Sequence, residues 1–244
     1  MAESSFAKGR GKDTPELPER SGAFPALSGF KWKGRKPFQA GWHHEDVKFV
    51  PCKGMGLFYI FSARKGGSSF SMEVRTEIRY ASVEDIHGMG RVYADTWKAA
   101  YRGIIPQDFL DGLMPAWWED RYRQTLGKEG MPKSVVLLLD GQIIGVSSIM
   151  KTRDEDLSEA FGEIISLYVL PEYWHRGFGS HILDFVTGEL KAMGFAYCVL
   201  WTLEENLRAQ AAYERFGFTR DGGRKSLEFA GQPVWEIRYR MPLS

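Results

Sequence analysis

Between Glu163 and Phe218 the chain reads strand, glycine turn, long amphipathic helix, strand and short helix. This order constrains the fold more than any other feature. The turn is Trp174-His175-Arg176-Gly177-Phe178-Gly179-Ser180. The helix after it covers Gly179 to Met193 and stops at Gly194, a residue suited to the position just past a helix end. A strand that feeds a glycine turn and then a helix presents backbone N–H groups together with the positive end of the helix dipole. That combination is a receptor for phosphate. Gly177 and Gly179 carry no Cβ, so an anion can approach the backbone closely, and Arg176 and Ser180 can add side-chain donors. The turn is not a dinucleotide fingerprint, because Ile182 fills the third glycine position. It is not a Walker loop either, because no Gly-Lys-Ser/Thr follows.

The elements around this segment are regular from Val74 onward. Val74 to Tyr80 alternates as a strand, and Ser82 reads as a helix N-cap with Asp85 three residues on. Ile86, Met89, Val92 and Tyr93 follow a 3.6-residue period that runs toward Trp97 and Tyr101, with Gly103 and Pro106 as breakers. A second helical region covers 107–126, interrupted at Gly112 and Pro115. Two apolar strands, 135–139 and 143–150, are joined by Asp140-Gly141, a strong hairpin signal. A charged loop over 152–159 leads to the strand beginning at Glu163. Tyr197 to Leu203 is the next strand, 208–216 a helix stopped by Gly217, and 218–219 with 234–240 complete the sheet. The order β-α-α-β-β-β-α-β-α-β-β is a mixed α/β layer fold.

Residues 1–71 read as a basic, flexible extension and 72–244 as the folded domain. The first part carries 12 Lys and Arg against 6 Asp and Glu; the second carries 20 against 25. One short strand is expected at 57–61 and a flexible break at Gly66-Gly67-Ser68-Ser69, with Met72 as a candidate natural start. The formal net charge of +1 argues against a dedicated polyanion binder. The basic arm lacks a recognition fold and interleaved stacking aromatics, so no nucleic-acid partner is expected. No secretory signal is evident, no apolar run is long enough to span a bilayer, and no membrane partner is expected. The two cysteines, Cys52 and Cys198, form no Cys-x-x-Cys pair, and no metal site is expected. Cys198 sits in an apolar strand pattern as core. A cytoplasmic enzyme is the default reading.

Residues 163–218 resemble the GNAT superfamily of acetyl-CoA-dependent N-acetyltransferases. The first family signature, Gln/Arg-x-x-Gly-x-Gly/Ala after a strand ending in Val and Pro, is matched by Val169-Leu170-Pro171 and Trp174-His175-Arg176-Gly177-Phe178-Gly179. The second, Asn with Tyr seven residues later and then Gly-Phe, is matched by Asn206, Tyr213 and Gly217-Phe218. The resemblance extends more loosely over 72–244 and departs at Trp174, where Gln or Arg is usual. It implies a mainly antiparallel mixed sheet flanked by helices, with acetyl-CoA as co-substrate. The backbone of Leu167, Tyr168 and Val169 would bond the pantetheine arm, and a β-bulge there would splay this strand from the one at 197–203. His175, Arg176, Gly177, Phe178, Gly179 and Ser180 would hold the pyrophosphate. Asn206 would bond the cofactor arm, and its position also suits a helix N-cap.

Acetyl transfer to an amine needs a neutral amine and an acid for the departing thiolate. Tyr213 is the expected acid. Glu163, six residues before Val169, is the expected base, at the spacing of one branch of the superfamily. In another branch the base stands five residues before the Asn, where this chain has Trp201. The N–H of Val169 is a candidate oxyanion donor. The segment 97–106 resembles the part of many bacterial GNAT proteins that covers the acceptor, and Trp97 and Tyr101 share a helix face there. The expected reaction is acetyl transfer to a primary amine by direct attack in a ternary complex, with a small molecule preferred over a protein N-terminus. The competing class is a non-catalytic acyl-CoA-binding module. A homodimer through the final strand is compatible with the family. The residues name neither the acceptor nor the acyl length.

Overall fold

The computed structural model describes the backbone of residues 47–50, 58–65 and 68–243 and the side chains of 75–243. Much of the expected extension lies outside the described residues, as do Cys52, Gly66 and Gly67. Within it, β1 (Val47–Val50) pairs antiparallel with β2 (Phe58–Lys65), which covers most of the short strand expected there. β2 pairs in turn with β3 (Ser68–Tyr80), a strand that runs through Ser68, Ser69 and the expected boundary at 71/72. From Thr76 onward β3 pairs with β4 (Lys133–Leu139).

The central hairpin joins β4 to β5 (Gln142–Lys151) at Asp140 and Gly141, whose φ values of 49° and 79° are those of the expected tight turn. β5 pairs with β6 (Phe161–Val169). β6 runs parallel to β7 (Tyr197–Leu203) through the crossover helix α4 (Phe178–Ala192), as a parallel pair requires. After α5 (Leu207–Phe216), β8 (Thr219–Phe229) and β9 (Gln232–Pro242) close the chain. The strand order is β1-β2-β3-β4-β5-β6-β7-β9-β8, and β6–β7 is the parallel pair among the described strands. This is the mixed, mainly antiparallel sheet with flanking helices that the sequence suggests.

Helices cover both faces. α1 (Ile86–Ala100) turns Met89, Val92, Tyr93 and Trp97 inward. α2 (Gln107–Asp111) and α3 (Pro115–Thr125) pack on the same side, split by Gly112 and Pro115 as the breakers predict. Arg79 grips Asp85 with two bonds of 2.6 and 2.9 Å, and the Asp85 carboxyl also accepts from the Ser82 N–H at 2.8 Å. These bonds, the guanidinium first, hold the Asp85 pKa below the usual carboxylate range. On the opposite face α4 buries Phe178, Ile182, Leu183, Val186 and Leu190, the spacing of one helix stripe. Cys198 is wholly buried in β7, and burial pushes its thiol far up.

One element differs from expectation. β8 continues ten residues past Thr219, to Phe229, and turns into β9 at Ala230 and Gly231 with φ values of 49° and 78°. Its run Asp221-Gly222-Gly223-Arg224-Lys225 is polar and glycine-rich, which reads as a break. Its register does shift between Arg220 and Arg224, but pairing with β9 resumes there.

Gly162 marks the tightest contact of α4 on the sheet. A Cβ there would lie 2.6 Å from Leu190 and 2.9 Å from the Phe195 ring. Gly162→Val should therefore destabilise the domain by about 1–3 kcal/mol through overpacking, read as a lower urea midpoint with an unchanged slope.

Candidate active site

The ladder between β6 and β7 runs from Phe161↔Tyr197 to Ile164↔Leu200 and then stops, although β6 continues to Val169 and β7 to Leu203. The cause is local. Against β5, Ser148 faces Ser166 while Ile149 faces Ile164, so Ile165 is an extra residue in β6. This is the expected bulge; it bends the strand and ends the parallel pairing. A cleft with a volume of about 210 Å³ opens between the separated strand ends.

At one end of the cleft stands the N-terminus of α4. His175 and Gly177 both adopt left-handed backbone, with φ of 60° and 82°, and turn the chain sharply into the helix. Gly177 offers no capping side chain, so the first-turn amides of Gly179 and Ser180 keep the donor capacity that every helix start has. A Cβ at Gly177 would meet nothing within 4 Å, and one at Gly179 only Leu167 at 4.0 Å. That is open space beside backbone donors, the shape a pyrophosphate needs.

Along β6, the Val169 carbonyl accepts from Trp174 Nε1 at 2.6 Å and from Thr96 Oγ1 at 3.1 Å. Its peptide edge therefore faces away from β5. Alternation along an antiparallel pair turns Leu167 the same way and Tyr168 back toward Val146 of β5. Leu167 and Val169 thus supply the backbone edge that an extended amide arm can pair with.

On the other bank Asn206 is the N-cap of α5, and its Oδ1 accepts from the Ala209 N–H at 3.3 Å. Its side-chain nitrogen makes no hydrogen bond among the described residues and is left for a ligand. Arg208, Ala209, Ala212 and Tyr213 line the same wall. Tyr213 is half-buried, and its hydroxyl has no partner among the described residues. Burial, reinforced by nearby Tyr101 and partly offset by Arg208, pushes the Tyr213 phenol well above its ordinary range. Tyr101 lines the cleft from α1, its phenol pushed up to about 12 by burial. The charged groups lining the cleft are cationic, Arg208 and Arg215. No Asp or Glu lines it among the described residues.

Several expected site residues stand elsewhere. The Arg176 guanidinium turns to the Tyr173 ring, 5.6 Å from its centroid, and does not line the cleft. Trp97 is core, 1 % exposed, packed edge-on behind Tyr101 at 4.7 Å and against Trp118 and Phe229. Glu163 lies below the bulge, 1 % exposed and outside the cleft lining. Its oxygens accept from the Arg153 backbone N–H and Nε at 3.1 Å each and from Nη2 at 2.5 Å. Sequence reading missed Thr96, Arg208 and Glu236. Thr96 carries a helical-face signal, three residues past Tyr93, while Arg208 stands in the first turn of α5, two residues past its N-cap Asn206. Glu236, on β9, has its carboxyl pushed up by desolvation, with Lys225 offsetting this from 3.4 Å.

The arrangement has clear relatives. The model of the Acetyltransferase (GNAT) family matches residues 92–218. The uncharacterized N-acetyltransferase YuaI of Bacillus subtilis is 31 % identical over 132 residues, 53 % of this chain and 72 % of that protein. A spermidine N(1)-acetyltransferase of Thermoplasma acidophilum is 26 % identical over 148 residues, 58 % of this chain and 87 % of that protein. Among solved structures, yncA from Salmonella typhimurium, determined with its cofactor acetyl-CoA, superposes with a TM-score of 0.52 at 20 % identity, over 69 % of this chain and 94 % of that one. The chain belongs to the GNAT acetyltransferase family.

The phosphate cradle can be tested without catalysis. Gly179→Val fills the open space beside the α4 amides and touches little else. It should keep the melting temperature near that of the parent and weaken coenzyme A binding tenfold or more, about 1.4 kcal/mol, by calorimetry.

Proposed function

We propose that this protein transfers the acetyl group of acetyl-CoA to a primary amine by direct attack in a ternary complex, with a small-molecule acceptor. The observation that carries this reading is the cleft itself. It opens where β6 and β7 part, has backbone donors of α4 at one end and an unpartnered phenol inside, and is lined by cations without carboxylates. Such a cleft suits a long anionic ligand with an amide-bearing arm. Gly177, Gly179 and Ser180 would hold the pyrophosphate, Leu167 and Val169 the arm, and Asn206 its amide. Acetyl-CoA brings an acetyl thioester, an activated acyl donor. The relative named for spermidine supports an amine acceptor.

Tyr213 is the proton donor in this reading. Its raised pKa keeps it protonated at neutral pH, so a proton is in place for the leaving sulfur; burial also makes the phenol a weaker acid, which nearby Arg208 partly offsets. Glu163 is the proton acceptor. It faces the helical side that carries Tyr93 and Tyr101, but Arg153 occupies both its oxygens. Protonating it gives up charge-assisted bonds, so the proton passes to it through water as Arg153 shifts. Glu236, within electrostatic reach of both Tyr101 and Arg153, is the second carboxylate on this side.

Tyr213→Phe should lower kcat on the order of a hundredfold with little change in coenzyme A affinity; full turnover by the variant would remove Tyr213 from the chemistry. An acid must be protonated to act, and the Tyr213 pKa is raised. The kcat of the parent should therefore show no alkaline decline up to about pH 10, the ordinary tyrosine value. Glu163→Gln leaves the reaction dependent on amine that is already neutral, so its acidic limb should move to higher pH. An unmoved limb transfers the role to Glu236 or solvent. Thiol release across an amine panel tests the whole reading. Tight coenzyme binding with no release from any amine would identify an acyl-CoA-binding module instead.

A further inference from the structure

We propose that Arg208 is a catalytic residue of this transfer, its guanidinium held face-on against Trp174 so that it stabilises the negative charge gathering on the leaving sulfur. The inference rests on the acetyl-transfer reading above and assigns a charge to its leaving-group end.

Arg208 is a half-buried cation with no carboxylate partner among the described residues. Taking a charge out of water without a counter-ion is costly, so its place needs an explanation. The guanidinium carbon lies 3.2 Å from the centroid of the Trp174 ring, a stacked arrangement that suits arginine. Trp174 is itself pinned, its Nε1 bonded to the Val169 carbonyl at 2.6 Å. The stack therefore joins the two banks of the cleft, from the end of β6 to the first turn of α5, and fixes one positive charge between them.

The surroundings of this charge carry no anion. The other titratable or charged groups lining the cleft are Tyr101 on α1, Tyr168 on β6, Tyr173 and His175 ahead of α4, and Tyr213 and Arg215 on α5. None is an anion at neutral pH. Arg208 lies within electrostatic reach of Tyr101 and Tyr213, and burial lowers its own pKa. A cation that meets no negative charge in the resting protein, on the same cleft wall as the proton donor and within its electrostatic reach, is suited to charge that appears during the reaction. As the C–N bond forms and the C–S bond breaks, the electron pair of the C–S bond goes to sulfur, and the Tyr213 proton follows. Arg208 makes and breaks no bond; it holds the thiolate and then the phenolate at lower energy.

The rival role for the same side chain is a clamp on the phosphates of the coenzyme. Wild type, Arg208→Gln and Arg208→Lys separate the two. With acetyl-CoA, Arg208→Gln should lose on the order of tenfold to a hundredfold in kcat, less than the loss of a full oxyanion-hole donor, and Arg208→Lys should recover part. With S-acetylpantetheine, which has no phosphate, the Gln loss should persist; if it vanishes, Arg208 serves the phosphates and the proposal is overturned. A binding readout stands beside these. Calorimetry with coenzyme A and S-methyl-coenzyme A at about pH 7 and about pH 9, either side of an ordinary thiol pKa, should show wild type gaining affinity for the free thiol at the higher pH. Arg208→Gln should lose that gain, while S-methyl-coenzyme A binds both proteins alike. Equal weakening of both ligands at both pH values overturns the proposal. Wild type that binds neither ligand overturns the acetyl-transfer reading first.

Discussion

The rest of the site depends on a single interruption: β6 and β7 hydrogen-bond through Ile164↔Leu200 and no further. Backbone groups left without partners are expensive when buried, so a sheet does not open in its middle without compensation. Part of it is internal. The indole of Trp174 and the hydroxyl of Thr96 both bond the Val169 carbonyl, and Asn206 caps α5 at the end of β7. The remainder of the edge, at Leu167 and Val169, lines the cleft, where the proposed amide-bearing arm would pair with it. The extra residue at Ile165 is thus the structural origin of the cleft. It also rotates the following side chains, sending Ser166 and Tyr168 toward α1, where Tyr93 bonds Ser166 at 2.7 Å.

A second constraint keeps the opened sheet rigid on the β7–β9 side. Arg238 is 6 % exposed and bonds three carboxylates: Asp154 at 3.1 Å, Asp156 at 2.6 and 2.8 Å, and Asp221 at 2.8 Å. Asp154 also accepts from the indole of Trp201 at 2.9 Å, and Trp201 is part of the cleft wall. The cluster ties the 152–159 loop to β8 and β9, and the same loop delivers Arg153 to Glu163. Gly223 is required by this packing, since a Cβ there would fall 2.8 Å from the Arg238 Nε. A buried cluster of this kind is weak support for stability in itself, because desolvation offsets the attraction. Its evident result is geometric, fixing a long loop beside the site.

The legible parts of this architecture were those encoded by local chemistry. The β6–α4–β7–α5 unit is written in glycines, an Asn and a Tyr at fixed spacings, and Gly177, Gly179, Asn206 and Tyr213 all line the cleft. Asp140-Gly141 turns as that dipeptide should. The missed parts depend on distant partners. β8 looks like loop because its polar, glycine-rich start is stabilised by Arg238 and Glu204, which are remote in sequence. Trp97 shares a helix face with Tyr101, yet Phe229, more than a hundred residues on, seals it into the core. The ion pair on Glu163 comes from Arg153, in a charged loop whose side-chain direction no periodicity reports. Arg208 had a positional signal beside Asn206, but its lack of a counter-ion is a property of the folded cleft alone.

In the proposed reaction these observations make the two sides unequal. On the leaving-group side the phenol of Tyr213 is unpartnered, protonated by burial and accompanied by a fixed cation. On the acceptor side one carboxylate is engaged by Arg153 and the other is desolvated and engaged by Lys225. A protein built this way is better prepared to receive charge on sulfur than to strip a proton from an ammonium. In the proposed transfer the ammonium proton reaches Glu163 only through water and as Arg153 shifts, which favours an amine whose charged form is already disfavoured on arrival. Tyr101 and the aromatic packing behind it fit that requirement, since a poorly hydrated aromatic wall disfavours the charged form of an amine. In the proposed reaction, desolvation of the amine on one side and a phenol with a fixed cation at the thioester on the other are the division of labour to which this cleft is suited.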